Sequence, residues 1–258
     1  SPVSNVFVED KFNDDLDMFN VIADYDGWDW ASVTATGSYM EREIERFDDT
    51  TRFVITGVFG CDEFNFFVSC FGAPIVPTVS MADESVKAWS SEVRLTSKQE
   101  GPLQWTAGFF WQKKRTFRNG QVGIVDGATG EATFDANRVL QARIFSRQNW
   151  GHSEQIALFG EASYDIMDKL TATFGLRWFD TSRDEDQNLV QPFFGGPTGF
   201  QPTQVFSEKK VIKKFHLGYE LSDDALVFFQ ASEGFRLGGP NQPGGFTASA
   251  APFDSDSL

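Results

Sequence analysis

Leu170-Thr171-Ala172-Thr173-Phe174-Gly175-Leu176-Arg177-Trp178-Phe179 is the stretch that decides the fold. Leu170, Ala172, Phe174, Leu176 and Trp178 share one parity, apolar and ending on an aromatic. Thr171, Thr173, Gly175, Arg177 and Phe179 share the other, mostly small or polar. Side chains of a strand alternate between its two faces. The stretch therefore reads as a strand with one face for lipid and one for a wet interior, the dyad pattern of a transmembrane β-barrel.

The same pattern recurs on both sides of it. Trp105, Ala107, Phe109 and Trp111 oppose Thr106, Gly108, Phe110 and Gln112; Ala31, Val33, Ala35 and Tyr39 oppose Ser32, Thr34, Thr36 and Ser38. Ile156, Leu158, Ala162 and Tyr164 oppose Gln155, Glu161 and Ser163. Eight strands are expected, near 18–26, 28–47, 84–97, 104–117, 155–165, 170–182, 209–221 and 225–236. Short turns at Asp26-Gly27, Lys98 to Gln104, Ile166 to Lys169 and Ser222 to Asp224 alternate with long segments 48–83, 118–154, 183–208 and 237–258. Loops that long inside a compact domain need a purpose. Short periplasmic turns alternating with long extracellular loops are the habit of outer-membrane barrels. A soluble sandwich also alternates, but without that asymmetry. The fold class expected is all-β, a transmembrane antiparallel up-and-down barrel.

Composition agrees. The 258 residues include 28 Phe and carry a net charge of −15, with a mean hydropathy of −0.29. No stretch approaches the ~18 apolar residues of a membrane helix, whereas a barrel strand needs only every second residue apolar. The negative charge, concentrated in the long segments, argues against a nucleic-acid partner. Ser1-Pro2-Val3-Ser4-Asn5 has neither the basic start nor the apolar core of a signal peptide. The chain reads as mature or, better, as a fragment.

Three stretches carry a family resemblance. They are Ser91 to Ser97 with Gly101 to Phe110, then Ala157 to Asp165 with Asp168 to Trp178, then Leu217 to Asp224 leading into Ser232 to Asn241. In order and spacing they resemble the middle of the barrel domain of TonB-dependent receptors, along nearly the whole of residues 1–258. The resemblance implies about eight strands of a 22-stranded barrel filled by a separate plug domain. It also implies uptake of a scarce small-molecule nutrient, such as a ferric siderophore, driven by TonB through that plug. Neither a plug nor a TonB-box-like peptide is found in the chain, and its end lacks an aromatic-ended final strand. The chain is therefore expected to be a barrel segment that cannot transport alone. The partners expected are outer-membrane lipid and lipopolysaccharide, the remaining strands and plug, TonB and the nutrient, in the outer membrane of a Gram-negative bacterium.

Individual residues give weaker signals. Cys61 and Cys70 lie in one long segment, and an exported loop favours a disulfide between them; a metal pair lacks nearby histidines. His152 is expected in an outer loop and His216 on the lumen face with Lys214 and Glu220, each as a structural residue. Gly234 to Gly239 superficially resembles a phosphate loop but does not open a helix after a strand. Phe193, Phe194, Phe200 and Phe206, with Gly195, Gly196 and Gly199, could line a substrate vestibule, although packing of the loop on its neighbours explains them better. Lys113, Arg115, Lys209 and Lys213 follow the lipid-facing parity at the upper strand ends, where lipopolysaccharide phosphates could meet them; a solvated rim explains them as well. No cofactor, metal or catalytic residue is expected.

Two rival readings remain open. Eight strands could close a small passive barrel by pairing the first with the last. A barrel enzyme would need a catalytic dyad at the rim, and none stands out. A receptor sector predicts two open edges, each needing a further strand, since an unpaired edge cannot face lipid.

Overall fold

A computed structural model describes residues 7–54, 77–126, 129, 131–136, 139–193, 198–239 and 253–257. Its strands are β1 Lys11–Tyr25, β2 Ala31–Asp49, β3 Thr78–Ser97, β4 Leu103–Ile124, β5 Arg143–Met167, β6 Leu170–Gln191, β7 Gly199–Phe200, β8 Gln204–Ser222 and β9 Ala225–Ser232. β10 Phe235–Arg236 and β11 Asp256–Ser257 form a small separate pair. The long strands pair antiparallel in sequence order from β1 to β9, with the two-residue β7 added to β6. Among the described residues β1 and β9 do not pair, so the eight long strands form an open sheet and not a closed small barrel. No described helix is long and apolar enough to cross a membrane; strands are the only elements whose pattern fits a crossing.

The register places the two parities on opposite faces, as the alternation requires. One rung runs Trp105, Ala162, Phe174, Phe215, Ala231 across β4 to β9. The next rung runs Ser32, Thr96, Thr106, Glu161, Gly175, Lys214, Ser232 across β2 to β9. The first is apolar and faces outward; the second is polar and faces the lumen. A slip of one residue on any strand would exchange them. Outward Phe174 is 49% exposed, as a lipid-facing ring should be when no lipid is present, whereas lumenal Phe179 is 0% exposed. Leu170 to Trp178 is nine residues, the length that crosses the hydrocarbon layer at a strand tilt near ~45°.

The strands are longer than the alternation suggests. β4 continues to Ile124, β5 starts at Arg143, β6 continues to Gln191, and β3 and β8 start at Thr78 and Gln204. Much of the expected loops 118–154 and 183–208, and the ends of 48–83, are therefore paired sheet, and His152 lies within β5, not in a loop. The 25 residues of β5 reach roughly 60 Å above one another when tilted at 3.3 Å per residue, twice the hydrocarbon thickness. The upper half stands in water, where neither face has to be apolar. The period-two signal fades there while the backbone pairing goes on.

Two clusters seal this upper half. On the outward face, Val79 and Met81 of β3 pack with Val8, Phe47, Val125 and Leu140. On the lumenal face, Val122 and Phe145 pack with Val54, Leu189 and Phe193. Val54 arrives by a single helical turn, Thr51–Phe53, where Thr51 and Thr78 exchange hydrogen bonds.

Candidate functional site

The lumenal face is a ladder of small hydroxyls and charges. Ser38 meets Ser90 at 2.6 Å, Ser163 meets Thr173 at 2.8 Å, and Thr96 meets Thr106 at 3.4 Å. Glu161 pairs with Lys214 at 2.8 Å, and Arg118 with Glu84 at 3.2 Å. Arg177 lies over the rings of Phe110 and Phe159, 5.3 and 5.8 Å from their centroids. A guanidinium held between two aromatic faces keeps its charge while its stem is covered.

Above this ladder β4, β5, β6 and β8 border a cleft of about 240 Å³ that reaches Lys114, Thr116, Ser153, Thr181, Arg183 and Phe206. Lys114, Arg118, Arg147 and Arg183 share the lumen parity of β4 to β6 at and above this level, where Arg118 is paired with Glu84, Arg183 lies 3.9 Å from Glu185, and Glu208 of β8 stands on the same parity. Of the four cations, Lys114 and Arg183 border the cleft. Arg147 and Glu185 lie above the apolar band. Burial and the neighbouring Arg118 hold the Arg147 guanidinium below its ordinary pKa, and burial raises Glu185 above the usual carboxylate range. Both shifts favour loss of charge.

After β9 the chain turns back over the lumenal face. Phe235 stacks on Phe179 with centroids 4.5 Å apart, and Lys210 lies 5.7 Å from the Phe235 ring. Gly238 sits against Phe206, where an added Cβ would come within 2.5 Å of the ring and of the Phe253 carbonyl. Gly238 and Gly239 thus serve close packing, in keeping with the failure of the phosphate-loop reading.

The structure separates the other residues singled out in the sequence. Phe193 stacks on Phe145 at 4.5 Å in the upper lumenal cluster. Phe200 stacks on Trp150 at 5.9 Å on the outward face, and Phe206 borders the lumenal cleft. The three do not form one lining; Phe194, Cys61 and Cys70 lie outside the described residues. Lys113, Arg115, Lys209 and Lys213 all take the outward parity, but their surroundings differ. Lys209 pairs with Asp180 at 2.8 Å and Lys213 with Glu233 at 4.0 Å. Arg115 instead lies 5.8 Å from the Trp89 ring, and Lys113 has no carboxylate within 4.0 Å among the described residues. His152 contacts Asp184 at 3.1 Å, and His216 stacks on Phe228 at 5.7 Å.

Aromatic rows mark both edges of the apolar band. Tyr25, Trp28, Trp30 and Trp105 follow one another at 5.3, 5.6 and 6.4 Å beside the short turns. At the other edge stand Tyr39 and Trp89, 5.5 Å apart, with Trp111 and Trp178 on the same parity. Such girdles sit at the two interfaces of a membrane barrel.

The sequence matches the family model described as TonB dependent receptor-like, beta-barrel, over residues 4–256. No curated protein sequence matches it significantly. Among solved structures it is similar to the ferric yersiniabactin uptake receptor FyuA from Yersinia pestis, with a TM-score of 0.71 at 13% identity, over 95% of this chain and 32% of that one. It is similar also to the open form of the ferric-catecholate import receptor Fiu from E. coli K12, with a TM-score of 0.61 at 12% identity, over 93% and 38%. The siderophore receptor PiuA from Acinetobacter baumannii gives 0.59 at 13% identity, over 88% and 33%. The chain thus spans about a third of the length of the structures it matches.

Proposed function

We propose, because this chain belongs to the family of TonB-dependent receptor β-barrels, that it forms one sector of the wall of an outer-membrane receptor for a scarce nutrient. Members of that family are receptors of the Gram-negative outer membrane, not enzymes. Further strands complete the barrel at the β1 and β9 edges, a plug fills it, and TonB drives uptake through that plug. The observation that carries the substrate class is the pair of cations that borders the lumenal cleft, Lys114 and Arg183, with no carboxylate among the described residues nearer to either than Glu185, 3.9 Å from Arg183. It suits an anionic metal chelate, held by charge-assisted hydrogen bonds from Lys and forked ones from Arg. Cys61 and Cys70 form a disulfide within an external loop, which mass mapping of unreduced protein checks. Quantitative alkylation of both thiols without reductant counts against it.

The test of uptake is accumulation of radiolabelled ferric chelates in cells with the gene intact, with the gene deleted, and with TonB removed. An anionic chelate taken up only when both are present supports the reading. Uptake that persists without TonB refutes the coupling, and uptake confined to neutral or cationic chelates refutes the assigned class. The paired substitution Lys114→Gln and Arg183→Gln raises the concentration needed for half-maximal uptake while the receptor stays in the membrane.

A further inference from the structure

We infer that the outward strip of β4 and β5 above the apolar band binds one molecule of phosphorylated glycolipid, Lys113 and Arg115 holding its phosphates and Phe117, Trp150 and Phe200 stacking on its sugars. The inference rests on the outer-membrane placement proposed above but not on any transported substrate. Reading up β4 on the outward parity gives Trp111, Lys113, Arg115 and Phe117. With a rise near 3.3 Å and a tilt near 45°, the last three stand about 5, 9 and 14 Å above Trp111. Trp111 marks the edge of the hydrocarbon, so this strip presents in turn an aromatic boundary, cations and aromatic rings. A lipopolysaccharide molecule presents acyl chains, phosphates and sugar rings in the same order.

The neighbouring carboxylates leave those cations available. Glu154 accepts the Trp111 indole N–H at 2.9 Å, and Asp184 is engaged by His152 at 3.1 Å. By contrast Lys209 and Lys213 on β8 are neutralised by Asp180 and Glu233, Lys213 lying lower down, opposite Leu176 and between Val211 and Phe215. The structure therefore divides two sets of basic residues that the parity alone makes equivalent.

The aromatic part is built as a shelf. Phe117 and Trp150 lie 5.3 Å apart, and Phe200 stacks on Trp150 with an interplanar angle of 26°. Phe200 is 73% exposed, although it stands above the hydrocarbon, where lipid tails cannot cover it. Polar groups flank it on the same face: Asn188 donates to Gln148 at 3.2 Å, and Thr203 donates to Asp186 at 2.6 Å. Apolar ring faces edged by amides, a hydroxyl and a carboxylate suit a sugar, whose C–H face stacks while its hydroxyls find partners.

The experiment measures lipopolysaccharide co-purifying with the receptor extracted from outer membranes in mild detergent. It uses one strain with a complete saccharide core and one whose glycolipid ends at the innermost sugars. The pair Lys113→Gln and Arg115→Gln is expected to lower retention roughly tenfold or more in both strains, the factor of a lost charge-assisted contact. The pair Lys209→Gln and Lys213→Gln leaves retention as in the parent. Phe200→Ala, at an exposed position, lowers retention only in the complete-core strain. Unchanged retention in the first pair, an equal loss in both pairs, or no effect of Phe200→Ala overturns the inference. Lys113→Arg with Arg115→Lys keeps both charges and should keep the lipid, and heat-modifiable migration verifies the fold of each variant. Chelate uptake by the same variants stays at the parental level, so a failure here is distinct from a failure of the transport reading.

Discussion

The lower and upper halves of this wall solve different problems with the same strands. In the lower half the outward positions are Val33, Ala35, Val93, Phe109, Leu158, Phe174, Leu176, Val211 and Phe215, and they meet lipid. In the upper half the same parity carries Glu41, Glu43, Lys87, Lys113, Arg115, Glu154, Asp180, Asp184 and Lys209. Where the upper outward face is apolar, at Val79 and Met81, the protein covers it with its own residues Val8, Val125 and Leu140. One backbone pairing thus runs through two solvents. The side chains change at the girdle of Tyr39, Trp89, Trp111 and Trp178, and the pairing does not.

That contrast can be broken most strongly by placing a charge in each half. Phe174→Arg, in the middle of the apolar band, should cost about 2–4 kcal/mol of folding stability in a bilayer. Val205→Arg, outward on β8 and 63% exposed, should cost within about 0.5 kcal/mol because water already bathes that site. Urea titration of the receptor in lipid vesicles measures both. Equal costs would mean that the girdle is not the membrane boundary. Met81→Ala sharpens the comparison from the other side. Met81 is 3% exposed on a parity that faces lipid lower down. Its truncation should cost roughly 2 kcal/mol through the cavity left, confined to the outer cluster. Faster amide exchange in residues 125–142 with unchanged exchange in 155–178 is the expected signature. A uniform rise would show that the upper half is not an independent packing unit.

How much of this was legible depends on which solvent a residue meets. Leu170 to Trp178 declares its faces because lipid demands apolar side chains on one of them and the lumen does not. Hence the order and direction of the eight long strands, and the faces of β2, β4, β5, β6 and β8, could be read. Above the girdle Arg118, Arg147 and Arg183 follow no alternating pattern, since both faces are wet or are packed by the protein itself. They looked like loop residues, and Arg183, which borders the lumenal cleft, was missed with them. Lys114 was hidden for another reason: within Lys113-Lys114-Arg115 only the register tells which charge points inward. Phe193, Phe200 and Phe206 are close in sequence, but a chain reversal between them sends Phe200 to the outward face and leaves Phe193 and Phe206 at separate places on the lumenal one. Nothing local records that. The return of Phe235 onto Phe179 is equally silent, because a long-range ring stack leaves no periodicity.

The smallest expected effect tests the two faces across a single strand. Gly175 is the residue after Phe174 on β6 and points the opposite way. Across it, on the lumenal rung, Glu161 and Lys214 form their ion pair, with side chains 45% and 42% exposed. If the lumen is wet, their attraction is screened by a high dielectric and offset by the entropy of holding two long side chains. Glu161→Gln should then cost less than about 1 kcal/mol, and raising the salt concentration should shrink even that difference. If this rung were instead dry, removing one partner would strand a buried ammonium at roughly 3–5 kcal/mol. The same urea titration decides, and Lys214→Met separates the cases further. In a wet lumen it has a similarly small effect, whereas in a dry one it leaves an uncompensated carboxylate and a large loss. A small cost at Glu161 beside a large one at Phe174→Arg would locate the boundary between water and lipid within the thickness of one strand.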